Sequence, residues 1–384
     1  MSADEEPIVG RSNKMRPVTR QIMWARGAGR CYLCNADLIG DLATGAVDAN
    51  FGFIAHIVAD SPTGPRGDKA RSHALADDAS NLMLLCHPHH KAVDVDQIDD
   101  FPEERLLEIK RLHEARIAVQ TAIRPERSTS VLRYAANVGQ HRVVMPYQDV
   151  VAALLPERYP TERATIDLAM RGSALEDGER AFWEAEAANL RRLFATRVRE
   201  RIEAGEVHNL SVFALAPQPL LILLGTLIGD ITPADVFQRH REPPSWTWPA
   251  EGPAMDLEWM APTTKSGGAI ALKVALSATV DDGRIRDVLG EDAEIWSLTT
   301  PAPHNDALKR RTDLRRLREI SRGLLDRIKA EHGADRPLHV FPAMPVATAV
   351  ELGRIWMPKA DLALNVWDER RALGGFREAL LVEG

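Results

Sequence analysis

Cys31-Tyr32-Leu33-Cys34 opens a window that runs through Ala55-His56-Ile57 and closes at Asn81-Leu82-Met83-Leu84-Leu85-Cys86-His87-Pro88-His89-His90. All three cysteines of the chain lie inside it, with five of its twelve histidines. A CxxC pair answered by CxxH after residues 35–85 has the ligand spacing of a structural zinc site. Cys31, Cys34, Cys86 and His89 make up that set. Spacing alone would let His87 or His90 replace His89, but only His89 completes CxxH. His56, Asn81 and His90 are left over, in that order.

The local pattern around these residues is strand, strand, helix. Residues 47–57 place Phe51, Phe53, Ala55 and Ile57 on one face, the period of a strand, and turn His56 to the other. A turn-rich loop covers 61–68, residues 81–85 form the returning strand, and a helix begins at Pro88. A further helix is expected over 102–122, with Leu106, Leu107, Ile109, Leu112 and Ile117 as its apolar face. So small a unit buries little apolar surface, and a zinc cross-link would hold it together. The interleaved His, Asn and His resemble the HNH nucleases, whose ββα-metal fold carries a general-base histidine on a hairpin and a metal-ligand histidine on the following helix. The resemblance makes His56, Asn81 and His90 the catalytic set. His56 would take a proton from water, because imidazole is the side chain that exchanges protons near neutral pH. Asn81 would pin the hairpin loop, and His90 would hold a catalytic Mg²⁺ that stabilises charge developing on the phosphate and the leaving 3′ oxygen. Many HNH enzymes place a metal ligand immediately before the base, whereas this chain has Ala55. The second protein ligand is therefore open between Asp60, His87 and the oxygens of the substrate itself.

The 384 residues suffice for two domains, and 45% hydrophobic with 27% charged residues is ordinary for a globular protein. Cysteines that all fit one metal cluster point to a reducing cytoplasm rather than a disulfide framework. Residues 1–20 contain no apolar run of the signal-peptide kind. The longest apolar stretch, 212–231, is broken by Pro217, Gln218 and Pro219, so a buried strand, turn and helix are expected there and no membrane partner. The net charge of −7 does not suit a general nucleic-acid binder. Yet residues 7–36 hold no acidic side chain and include Arg11, Lys14, Arg16, Arg20, Arg26 and Arg30. Such an arm would touch phosphates without reading sequence, or would simply be a solvated surface.

Domain boundaries follow from the change of pattern: 1–122 for the α+β zinc-bearing unit, a connector over 123–145 marked by Pro125 and Ser128-Thr129-Ser130, and 146–384 for an α/β unit. In the last, strands at 210–216, 269–279, 293–300, 338–343 and 362–367 alternate with helices at 179–204, 307–331 and 346–356. That alternation implies a largely parallel sheet, whose ligands bind beyond the carboxyl ends of its strands. No GxGxxG or P-loop lies in the expected places.

Two stretches carry a second resemblance. One is Phe213-Ala214-Leu215-Ala216-Pro217-Gln218-Pro219-Leu220-Leu221, with Gln238-Arg239-His240-Arg241 and Trp246-Thr247-Trp248 downstream. The other runs from Phe341-Pro342-Ala343-Met344-Pro345-Val346 to Gly353-Arg354 and closes at Met357-Pro358-Lys359. They resemble the SAVED domain, two fused CARF-like Rossmannoid halves that sense cyclic oligonucleotides in bacterial anti-phage signalling (CBASS). With the first unit, the chain resembles the HNH–SAVED effector nucleases. The resemblance implies a cyclic di- or trinucleotide as activator, double-stranded DNA as substrate, and a homo-oligomer that enlarges on ligand binding. On residue type, Trp246, Trp248 and Trp296 would stack on bases, and Arg241, Arg354 or Lys359 would pair with phosphates. Thr299, Thr300, Pro301 and Thr348 sit at strand ends and helix starts that favour phosphate. Two other readings remain: a restriction-type HNH enzyme whose second domain reads DNA, and a zinc-bearing DNA-binding module with a dead site.

Overall fold

The computed structural model describes residues 15–41, 46–138, 143–170, 175–370 and 375–383. Arg11 and Lys14 of the basic arm lie outside them. The chain divides into two compact units, Met1–Arg124 and Pro125–Gly384.

The first unit opens with helix α1 (Pro17–Gly27), whose proline fits the first helical turn. Three strands follow: β1 (Ile39–Asp41), β2 (Ala46–Asn50) and β3 (Gly52–His56). A short helix α2 (Ser72–Leu75) leads to β4 (Leu82–Cys86), which runs directly into α3 (His87–Lys91). Helix α4 (Glu103–Thr121) completes the unit. The strand expected over 47–57 is two strands, because the chain changes partner at Phe51: β2 pairs β1, and β3 pairs β4 antiparallel with His56 opposite Leu82. Phe51 and Phe53 consequently stay exposed, while Ala55 and Ile57 enter a core built from Met23, Leu38 and residues 82–85. Helix α4 departs from expectation more sharply. Its buried face is Leu106, Lys110, His113 and Ile117, with Leu107 and Leu112 turned outward. Lys110 Nζ donates to the Leu82 carbonyl at 2.8 Å, and His113 Nε2 lies 3.2 Å from the Gly27 carbonyl. The polar stripe meets backbone acceptors on distant segments, which gives these buried polar side chains their partners.

The second unit holds two sheets. Strand β5 (Ser128–Ala135) lies within the stretch read as connector. It pairs parallel with β8 (Leu210–Leu215), and two short strands, β6 (Tyr159–Pro160) and β7 (Ile166–Asp167), flank it on the other side. Between them run α5 (Tyr147–Leu154), α6 (Arg180–Phe194) and α7 (Glu200–Glu203). Helix α8 (Gln218–Ile228) and strand β9 (Ala234–Phe237) close the first sheet, β9 lying parallel to β8. Helix α8 is apolar all round and buried on every side, which accounts for the long apolar stretch.

The second sheet has the order β10 (Glu258–Met260), β12 (Glu294–Thr299), β11 (Ile270–Ala275), β13 (Leu338–Ala343), β14 (Leu364–Arg370), β15 (Gly375–Val382). Its four central strands are parallel and its two edges antiparallel. Helices α9 (Asp282–Leu289), α10 (Arg311–His332) and α11 (Val346–Ile355) connect them. The same strand–helix–strand passage thus occurs twice, β8–α8–β9 and β13–α11–β14. The two helices cross so closely that Gly225 sits against the backbone of α11 and Gly353 against that of α8. Among the described residues no helix is long and apolar enough to cross a membrane.

Candidate functional site

In the first unit the structure brings Cys31, Cys34, Cys86 and His89 together, their ligand atoms all within 4.8 Å of one another. Cys34 Sγ is 3.9 Å from Cys86 Sγ, and Cys31 Sγ is 3.6 Å from His89 Nδ1. Two thiolates on a tetrahedral zinc stand about 3.8 Å apart, and a thiolate and an imidazole about 3.6 Å, given bonds of ~2.3 and ~2.05 Å. The donor set and its spacing fit zinc. Burial pushes the Cys31 thiol up, but the amides of Cys34, Cys86 and Leu33 outweigh it and leave the thiol below its ordinary value, favouring the thiolate that binds metal.

The cluster brings the segment after α1, which carries Cys31 and Cys34, against the β4–α3 junction, which carries Cys86 and His89; the remaining residues sit on the β3–β4 hairpin and α3. Asn81 is buried at the start of β4. Its side chain accepts from Val58 N at 2.8 Å and donates to Val58 O at 2.8 Å and Leu75 O at 3.2 Å. That fixes the chain two residues beyond His56. The His56 ring is half-buried, with Nε2 3.0 Å from the Ala76 carbonyl. A carbonyl only accepts, so Nε2 carries the proton and Nδ1 keeps the lone pair. The His90 ring stacks on Phe53 at 4.9 Å and 13°, which explains the outward turn of that phenylalanine, and Nε2 lies 3.4 Å from Asp94 Oδ2. Ala55 is buried, and Asp60 is exposed. Arg66, absent from the sequence reading, reaches across: Nε donates to Ile57 O at 2.6 Å, Nη1 to Val93 O at 2.9 Å, and Nη2 to Asp94 Oδ1 at 2.6 Å.

The second unit contains a cavity of about 750 Å³. Its walls are residues 215–218, 238–242, 277–278 and 342–346, with Asp177, Asp368 and Glu369 alongside. These segments follow the carboxyl ends of β8, β9, β11 and β13. Gln218 Oε1 accepts from Met344 N, and Gln238 Oε1 from Ala347 N, each at 3.1 Å, so two glutamines tie the repeated passages together at the rim. His240 is 2% exposed, and neither ring nitrogen has a hydrogen-bond partner; Nδ1 stands 3.8 Å from Asp306 Oδ1. Burial holds its imidazole below the ordinary value. Burial likewise raises Asp368 to about 7, with Glu369 adding to the effect. Arg239 and Arg241 supply positive charge.

Of the ligand-binding residues expected from sequence, Arg241 alone lines this cavity, and the burial of several others explains why. Trp296 is fully buried and donates from Nε1 to His332 Nε2 at 3.0 Å. Trp246 is buried edge-on against Phe213, and Trp248 meets His240 edge-on. Arg354 is 2% exposed; it pairs with Glu351 at 3.0 Å and donates to the carbonyls of Gly229, Thr232 and Ala234, closing the loop after α8. Thr348 is buried with its hydroxyl on Pro345 O, and Thr299 Oγ1 donates to Ala275 O. Thr300 is buried, and Pro301 and Lys359 are exposed. The signal that could have found the cavity was topological. The quoted stretches Ala216-Pro217-Gln218, Gln238-Arg239-His240-Arg241 and Met344-Pro345-Val346 all stand at it, each just past a strand.

A family model described as the SMODS-associated and fused to various effectors sensor domain (SAVED) matches residues 190–382. A comparison with curated proteins finds no match. Among solved structures, the Acinetobacter baumannii Cap4 SAVED/CARF-domain containing receptor with the cyclic trinucleotide 3′3′3′-cAAA aligns at a TM-score of 0.44 and 8% identity, over 82% of this chain and 60% of that one. The same receptor with 2′3′3′-cAAA gives 0.43 and 10%, over 82% and 60%. The Moraxella osloensis Cap4 SAVED/CARF-domain containing receptor gives 0.38 and 12%, over 75% and 59%. This chain thus spans about 60% of the length of the receptors it matches.

Proposed function

The chain belongs to the SAVED family, and on that premise we propose that it is a cyclic-oligonucleotide-activated DNA endonuclease of anti-phage defence. The second unit would sense the nucleotide in the cavity at its strand ends. The first would cut DNA as an HNH enzyme. The observation that carries the nuclease reading is the hairpin and helix holding His56, Asn81 and His90 beside a Cys₃His cluster of zinc geometry.

The residues divide the work as follows. Cys31 and Cys34, with Cys86 and His89, would hold a zinc that ties the segment after α1 to the β4–α3 junction. The Ala76 carbonyl keeps the proton on His56 Nε2, which leaves Nδ1 as the nitrogen that would act as the base. It takes the proton of a water whose oxygen attacks phosphorus, and the phosphorus–O3′ bond breaks as that oxygen leaves. Asn81 holds the loop carrying the base in register. His90, on Phe53, would bind a Mg²⁺ ion, which supplies charge stabilisation at the phosphate when bound. One such site cuts one strand, so chains joined by ligand binding would place two sites on one duplex. The active form would then be a larger homo-oligomer than the resting one.

The test is full-length, zinc-loaded protein incubated with plasmid and Mg²⁺, with and without a panel of cyclic di- and trinucleotides. Cleavage dependent on one of them, with a rise in mass by light scattering, is the expected result. Equal cleavage with none would replace the sensor reading by a restriction-type enzyme. No cleavage under any condition would leave a DNA-binding module.

A further inference from the structure

The geometry points to Asp94 as the protein ligand that completes a divalent-cation site with His90, in the place left open by Ala55. This rests on the nuclease reading above and adds the composition of its metal site. Asp94 lies four residues beyond His90, so successive helical turns bring both side chains to one face. Asp94 Oδ2 stands 3.4 Å from His90 Nε2. Two neighbouring ligand atoms on an octahedral Mg²⁺ at ~2.1 Å are about 3.0 Å apart, so one ion between these atoms needs adjustments of only a few tenths of an ångström. Both side chains are partly open to solvent, at 34% and 22% exposure, which leaves room for water and phosphate oxygens.

The surroundings separate the two carboxylate oxygens. Oδ1 is held by Arg66 Nη2, while Oδ2 turns to the imidazole. The Arg66 side chain is 8% exposed and spends its other donors on Ile57 O and Val93 O. It therefore fixes Asp94 relative to the residue that follows His56, and acts as a positioning residue that sets base and cation site at a constant separation. Its charge also moderates the affinity of the resting site, and phosphate oxygens of a substrate would add to it. Such a site suits Mg²⁺, which binds through one or two carboxylates plus substrate oxygens.

The probe is Mn²⁺, which accepts the same imidazole and carboxylate ligands. Its binding to the full-length, zinc-loaded chain is read by electron paramagnetic resonance, without substrate. Asp94→Asn keeps an oxygen for Arg66 but replaces the second ligand oxygen by an amide. The expected result is one Mn²⁺ per wild-type chain, an affinity lowered about tenfold or more by Asp94→Asn and by His90→Ala, and unchanged zinc content and melting temperature for Asp94→Asn. Asp94→Glu should recover part of the loss. Asp94→Asn binding Mn²⁺ as tightly as wild type, or a wild-type chain binding none, would overturn the proposal. Cleavage that persists while Asp94→Asn leaves Mn²⁺ affinity untouched would discard this ligand and keep the nuclease. Mn²⁺ held through Asp94 in a chain that cuts no DNA would do the reverse.

Discussion

Replacing Gly225 by alanine tests whether the helix crossing sets the stability of the second unit. A Cβ at this position would stand 2.8 Å from Gly353 Cα and 2.9 Å from Arg354 N, and closer still to the Val350 carbonyl oxygen. Non-bonded carbons rest at about 3.5–4.0 Å, so α8 and α11 must move apart by roughly 1 Å. No side chain can rotate aside, because every atom in the way is backbone. Overpacking of a core costs about 1–3 kcal/mol, and this site belongs at the upper end. Alanine returns up to about 1 kcal/mol through its helix propensity. A net loss of about 2 kcal/mol corresponds to a fall of roughly 4–8 °C in the melting temperature of a unit this size. Gly323 provides the control: it lies in α10 with nothing within 4 Å of an added Cβ. Gly323→Ala should raise the transition slightly, by up to about 1 kcal/mol. Differential scanning calorimetry of the full chain reads both. A Gly225→Ala protein melting with wild type, or a Gly323→Ala protein falling as far, would refute the argument from the crossing.

His56→Ala should lower cleavage by about 10²-fold or more while zinc content stays constant; near wild-type cleavage by the variant would remove the base from the mechanism. Cys86→Ala should lose zinc by elemental analysis and abolish the melting transition of the first unit, leaving that of the second in place. Asp368, raised to about 7 by burial, is largely neutral below that pH and charged above it. Affinity for an anionic ligand in the cavity should therefore fall as pH rises through about 7 in a calorimetric titration, and Asp368→Asn should flatten that profile. The same shift has a stability consequence. A raised folded-state pKa gives a contribution that is full below the ordinary carboxylate value of ~3.9 and is lost as pH climbs to about 7. Asp368→Asn should melt above wild type at pH 8 and lose that advantage at acid pH.

What could be read from the residues alone divides along physical lines. Spacing made the metal cluster legible, because CxxC and CxxH each place two donors on one tight turn. Alternation of strands and helices placed β8, β11, β12, β13 and β14 and the helices α6, α8, α10 and α11 to within a few residues at most of their ends, while β9, β10, β15, α5 and α9 went unread. Strand β5 was hidden by composition: Ser128, Thr129 and Ser130 look like linker, yet Thr129 Oγ1 donates to Asn209 Oδ1 at 2.8 Å and lies 2.9 Å from Ser211 Oγ. A buried hydroxyl ladder is invisible until its partners are known. Helix α4 misled for a related reason, since Lys110 and His113 answer carbonyls on distant segments. Side-chain chemistry marks the tryptophans and Arg354 for a nucleotide, but a large aromatic ring is also the best filler of a core, and a guanidinium also closes loops. Arg66 carried no signal at all, because its value lies in three acceptors that only the folded chain assembles.

A zinc held by Cys31, Cys34, Cys86 and His89, as the proposed function has it, would make the two units depend on different supplies. Among the described residues of the second unit no comparable cluster occurs, and its core is held by apolar packing. In a cell starved of zinc, newly made chains would keep the sensing half and lose the cutting half. Such chains would soak up the signal without acting on it, and would compete with intact copies for a scarce messenger. Trace-metal nutrition would then set the threshold of the whole response, through the ratio of complete to incomplete molecules and with no change in how many are made.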